Sequence, residues 1–77
     1  MNNETTEETL NRIFKLGRKI ADLRHKRNFT QEVFAEMIDI SREHLAKIET
    51  AKRSVSLDLL IKIADTLNVK VKDLVDF

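Results

Sequence analysis

Apolar side chains recur three and four positions apart along most of this chain, a spacing that fits helices and little else. Leu10, Ile13, Phe14, Gly17, Ile20, Ala21 and Leu23 form the first run, one face of an amphipathic helix. Thr5 followed by Glu8 offers a capping box for its start. The helix is predicted to reach about Arg27 and to stop near Asn28, a residue type that tolerates a left-handed turn. A second, short helix is predicted after Thr30 as N-cap, with Glu32 complementing the dipole and Phe34, Ala35 and Ile38 inward. It ends before Asp39. Ser41 then caps a third helix, with Leu45 and Ile48, joined by Ala46, on its buried side. Ser56 caps a fourth, with Asp58 in its first turn, Leu57, Leu60, Ile61, Ala64 and Leu67 inward, and Asn68 as terminator. Val69, Val71, Leu74, Val75 and Phe77 make a fifth, short and strongly apolar. No proline and a single glycine interrupt these runs. An all-α fold is the expectation.

Size and residue types exclude several functions. Seventy-seven residues hold one domain. Residues 1–8 read as a frayed acidic tail and residues 9–77 as the folded domain. Without cysteine there is no disulfide and no thiolate ligand or nucleophile. The only imidazoles are His25 and His44, and His25 sits in a basic surface stretch. No triad of nucleophile, base and acid suggests itself, and no glycine-rich loop exists to hold a nucleotide. An enzyme, a metal site, a cofactor and a small-molecule ligand are therefore not expected. No apolar run approaches the roughly 20 residues of a membrane span. The acidic N-terminus is the opposite of a secretory signal, so the expected compartment is the cytoplasm. The formal charge is +1, but beyond residue 9 there are 14 bases against 10 acids, a net of +4. That excess permits an anionic partner without requiring one.

The second and third helices, joined by a short turn, follow the helix-turn-helix pattern. Residues 16–74 resemble the Cro/C1-type (XRE) helix-turn-helix domain of bacterial and phage repressors. The likeness rests on an ordered set: Leu16-Gly17, Ile20 and Leu23-Arg24; Thr30-Gln31-Glu32 and Phe34-Ala35-Glu36; Ile40-Ser41-Arg42; Lys47-Ile48-Glu49. It continues through Lys52-Arg53, Ser56-Leu57-Asp58, Leu60 to Ala64, Leu67 and Asp73-Leu74. It spans about three-quarters of the chain and implies a five-helix, lambda-repressor-like DNA-binding domain. Glycine is common in the family where Asp39, Ala51 and Asn68 stand, and proline where Val55 stands. Asp and Asn tolerate positive φ next best after glycine, so Asp39 and Asn68 suit the same backbone. Ala51 does not: either its φ is negative or its turn costs about 1 kcal/mol. Lys70 replaces a usual capping serine, so a loose start to the fifth helix is expected. The segment from Lys52 to Leu57 also resembles the controller proteins of restriction–modification systems.

The resemblance implies that the helix over 41–49 reads the major groove of double-stranded DNA. Arg42, Glu43, His44 and Lys47 are the candidates for base contact. Arg42 can pair bidentately with guanine, and Glu43 can accept from a cytosine amino group. The alternative for all four is a plain solvated helix surface. Thr30, Gln31 and Ser41 open helices and suit phosphates through free N–H groups and the dipole, and the resemblance implies that Gln31 fixes backbone position. Lys52 and Arg53 are natural phosphate clamps in the loop that follows. The resemblance also implies an ion pair between Arg24 and Glu49 that ties the first helix to the end of the third; the alternative for Arg24 is a direct phosphate contact.

One short helix reads few base pairs, so a homodimer on a palindromic or pseudo-palindromic operator is expected. Val71, Leu74, Val75 and Phe77 are the leading interface candidates, with Leu10, Ile13 and Phe14 as others; the alternative is that all of them close the core of the single chain. The expected function is a sequence-specific transcriptional regulator, with repression favoured over activation. The rival reading is an antitoxin or other protein-interaction module on the same fold.

Overall fold

The computed structural model describes the backbone of residues 3–77 and the side chains of residues 6–77. Five helices follow one another: α1 (Asn3–Lys26), α2 (Gln31–Met37), α3 (Arg42–Glu49), α4 (Leu57–Leu67) and α5 (Val71–Leu74). No strand occurs among the described residues.

The helix ends are set by local chemistry. Thr30, Ser41 and Ser56 are N-caps whose hydroxyls accept from the backbone N–H groups of Val33, His44 and Leu59, at 3.1, 3.0 and 3.2 Å. At α5 the Lys70 side chain has no oxygen to offer. The Asp73 carboxylate instead accepts from the Lys70 N–H at 2.9 Å, which anchors the start that the sequence suggested would be loose.

Four helices close with the same device, a left-handed residue flanked by a six-to-one and a five-to-two backbone hydrogen bond. The left-handed residues are Asn28, Asp39, Ala51 and Asn68, with φ of 60, 59, 61 and 58°. After α2, for example, the Ile40 N–H donates to Ala35 O and the Asp39 N–H to Glu36 O. Phe29, Ile40 and Val69, each following such a residue, turn back onto the core. Ala51 thus takes the strained option, a left-handed φ with a Cβ.

The core comprises Ile20 of α1, Phe34, Ala35 and Ile38 of the α2 region, Leu45 and Ile48 of α3, Ile63, Ala64 and Leu67 of α4, and Leu74 of α5. Phe29 stacks on Phe34 with ring centroids 6.0 Å apart. Arg27 forks onto the Leu67 carbonyl through Nε and Nη2, at 3.1 and 2.8 Å, and ties the end of α1 to the end of α4.

Burial differs from the sequence expectation in two places, and one helix boundary differs as well. In α4, Leu57 and Ile61 are exposed and Ile63 is buried. Apolar side chains surround most of that helix, so periodicity could not choose its inward face. In α1, Leu10 and Phe14 are exposed because the other helices pack only along its C-terminal half. The helix also starts at Asn3, so residues 3–8 are helical where a frayed tail was expected, and Thr5 lies inside the helix instead of capping it. Early glutamates favour this extension through the dipole, and the packed half supplies the nucleus.

Candidate nucleic-acid interface

Gly17 lets α3 approach α1. A Cβ at this position would stand 2.5 Å from the Ile48 carbonyl oxygen and 2.9 Å from that of Glu49. Both are backbone atoms with no rotamer to move, so the C-terminal end of α3 can lie on α1 only across a glycine.

The same helix end is locked by charge. Arg24 and Glu49 are both buried, at 5 and 7% exposure. Arg24 Nε donates to Glu49 Oε2 at 2.7 Å and Nη2 to Oε1 at 3.0 Å, a bidentate pair. Nη1 donates to the Phe29 carbonyl at 2.8 Å. Gln31, at the first position of α2, donates from Nε2 to Glu49 Oε1 at 3.0 Å. One carboxylate therefore joins α1, α2 and α3. No buried side-chain nitrogen or oxygen among the described residues lacks a partner, which a buried ion pair requires if it is not to destabilise.

With Leu45, Ile48 and Glu49 facing inward, the opposite side of α3 projects from the molecule. Glu43 and Lys47 stand four apart on this outer line, with Arg42 at the N-terminal end, and all three are exposed. Half-buried Ala46 lies between them and keeps the surface low. The Thr50 hydroxyl turns back to the Ala46 carbonyl at 2.8 Å. His44 is half-buried and lines a groove of about 290 Å³ with Ile38, Ile40, Ser56 and Lys62, so it stands on the flank that faces α4. Thr30 and Ser41 are exposed at the starts of α2 and α3, and Lys52 and Arg53 are exposed in the loop before α4.

Sequence reasoning placed Gln31 against a phosphate and missed its bond to Glu49, since nothing local links positions 18 apart. Leu74, expected at an interface, is fully buried and closes the core under α5. Val71 is half-buried, and Val75 and Phe77 are exposed at 41 and 42%. No cluster of histidine and carboxylate side chains suited to a metal occurs among the described residues. No described helix is long and apolar enough to cross a membrane.

A helix-turn-helix family model matches residues 20–74. This chain belongs to the XRE-type helix-turn-helix family. Membership of that family places it among DNA-binding regulators of transcription. The control protein C.BamHI of Bacillus amyloliquefaciens is 42% identical over 62 residues, covering 79% of this chain and 76% of that protein. The control protein C.MunI of a Mycoplasma species is 39% identical over 61 residues, covering 78% and 82%. The crystal structure of the restriction–modification controller protein C.AhdI from Aeromonas hydrophila superposes with a TM-score of 0.77 at 27% identity, over 80% of this chain and 94% of that one.

Proposed function

We propose that this chain is a sequence-specific regulator that binds double-stranded DNA as a homodimer and reads the major groove with the outer face of α3. One observation carries the reading. The face of α3 that carries Arg42, Glu43 and Lys47 is exposed, while its other face is fixed to α1 and α2 by the core, Gly17 and the Arg24–Glu49–Gln31 network. A rigid helix with Arg42 at its leading end and Lys47 a turn on is suited to reading base edges.

In this reading Arg42 pairs with guanine, Glu43 selects against bases that offer it no donor, and Lys47 extends the footprint. His44, on the flank, has the smaller share. Thr30, Ser41 and the free N–H groups at the starts of α2 and α3 receive phosphates, with Lys52 and Arg53 as clamps. Gln31 keeps its position near the backbone, held there by Glu49. The exposed Val75 and Phe77 beside half-buried Val71 supply the subunit contact. The similarity to control proteins, one of them a restriction–modification controller, supports a regulatory role, with repression as the favoured mode.

The test is selection of bound fragments from random duplexes, followed by anisotropy titration of the enriched site. A palindromic or pseudo-palindromic consensus, bound at least about 10³-fold tighter than random duplex, is the expected result. Equal affinity for all sequences would refute base reading by α3.

A further inference from the structure

The N-terminal half of α1 lies outside the core. Every described side chain from Thr6 to Arg12 is exposed. At 1.5 Å per residue the whole helix is about 36 Å long, and it accounts for most of the molecule's longest extent of 39 Å. The projecting part carries two large apolar side chains, Leu10 at 60% and Phe14 at 47% exposure, with half-buried Ile13 beside them. Arg18 lies over the Phe14 ring, its guanidinium carbon 6.0 Å from the centroid.

The charges around this stripe have a definite order. Residues 11 apart on an α-helix project within about 20° of one another, so Glu7 and Arg18 share one flank of the Leu10–Phe14 line. They are about 16 Å apart along the axis, too far to meet within one chain. A two-fold axis at the level of Arg12 changes that. It sets Leu10 of one helix against Phe14 of the other. Because the axis brings like flanks together, it also sets Glu7 of each helix one residue step from Arg18 of its mate. Asn11 faces Asn11 on that flank and no like charges of α1 meet; on the other flank Ile13 approaches Ile13 beside the loop that carries Arg53. Arg12, Lys15 and Lys19 point away.

We propose that this face is a self-association surface, in which the N-terminal half of α1 pairs antiparallel with α1 of a second copy through the Leu10–Phe14 seam and two symmetric Glu7–Arg18 ion pairs. It is separate from the Val75–Phe77 face. The area is small for a stable dimer on its own, so the contact joins chains that are already paired elsewhere or held close together, as on adjacent stretches of one duplex.

The test is sedimentation equilibrium of the full chain between roughly 10 μM and 1 mM, at low and at high salt. Four variants are compared: Glu7→Arg, Arg18→Glu, the double exchange, and Phe14→Glu. All of these positions are exposed, and circular dichroism checks that each variant is folded. Each single reversal sets like charges opposite one another twice per contact and is expected to weaken the association step about tenfold. The double exchange restores the pairing, and affinity returns to within about threefold of the parent. Phe14→Glu abolishes the step. The proposal is overturned if the single reversals leave association unchanged, or if the double exchange stays as weak as they are. It is also overturned if Val75→Asp removes all association while the α1 variants alter none of it.

Discussion

At Gly17 and Ala51 the two small residues are placed in opposite ways. Gly17 is helical, where glycine is a poor choice by about 1 kcal/mol, yet two carbonyl oxygens of α3 occupy the space a Cβ would need. Gly17→Ala gains the helix propensity but must push α3 away, so a net loss of about 1–3 kcal/mol in urea unfolding is expected. The same variant should lose DNA affinity, because the displaced element is the one assigned to base reading. Ala51 has the reverse problem, a Cβ at φ 61°. Ala51→Gly relieves it and should stabilise by about 0.5–1 kcal/mol, a rise of several degrees in melting temperature. A calorimetric scan showing no rise would mean that the neighbouring loop already absorbs the strain. Glu49 is the third critical residue. Glu49→Ala leaves Arg24 buried without its carboxylate and is expected to cost about 3–5 kcal/mol. The double change Arg24→Met with Glu49→Leu should recover most of that. A double variant as unstable as the single would show that the network contributes through packing rather than charge.

At the scale of elements, α3 and the loop behind it divide the proposed work. The proposed reading helix is gripped from inside by Leu45, Ile48 and Glu49, which leaves Arg42, Glu43 and Lys47 exposed on its outer side. Arg42→Ala is therefore expected to relax preference at one base pair, at about 1–3 kcal/mol for the cognate site, with little change on random duplex. In the proposed reading the loop side chains Lys52 and Arg53 carry no sequence information. Lys52→Ala and Arg53→Ala should weaken binding alike on all duplexes, each lowering the slope of log K against log salt by about one unit. Anisotropy titrations at several salt concentrations separate the two patterns, and an exchange of roles between Arg42 and Lys52 would overturn the assignment. In α4, Ile63, Ala64 and Leu67 face the core while Leu57 and Ile61 face out. The outward pair is more apolar surface than a solvated helix needs, and it lies on the element that adjoins α5.

For the whole molecule, the proposed reading face of one chain spans too few base pairs to pick one site out of a genome, and two-fold pairing is the usual remedy. Half-sites about 10 base pairs apart put two α3 helices on one side of the duplex. Inserting about 5 base pairs between half-sites turns one of them to the far side, and mobility-shift titration should then show the affinity of a single subunit. Phe77→Asp is expected to shift the chain towards monomer and to have the same effect on the intact site, without changing the affinity for one half-site. A variant that stays dimeric in sedimentation would remove the α5 region from the subunit contact.

Helix number, order and most ends, though not the start of α1, were legible in the bare chain because their causes are local. A serine or threonine cap reaches an N–H three residues on, and a left-handed Asn or Asp closes bonds spanning no more than five, so Thr30, Ser41, Ser56, Asn28 and Asn68 declare themselves without any knowledge of the fold. The motif spacing likewise disclosed which helix would bear Arg42 and Lys47. Which apolar residues are covered is a different kind of fact. Leu57 and Ile63 are chemically alike, and only the positions of α1 and α5 decide that one is wet and the other dry. Phe14 and Leu74 show the same dependence in opposite directions, one exposed and one sealed. The contacts of Gln31 with Glu49 and of Arg27 with the Leu67 carbonyl join positions 18 and 40 residues apart. Periodicity and capping reach only a few residues along the chain, whereas burial and these bridges are properties of the assembled bundle, and only the tertiary structure could decide them.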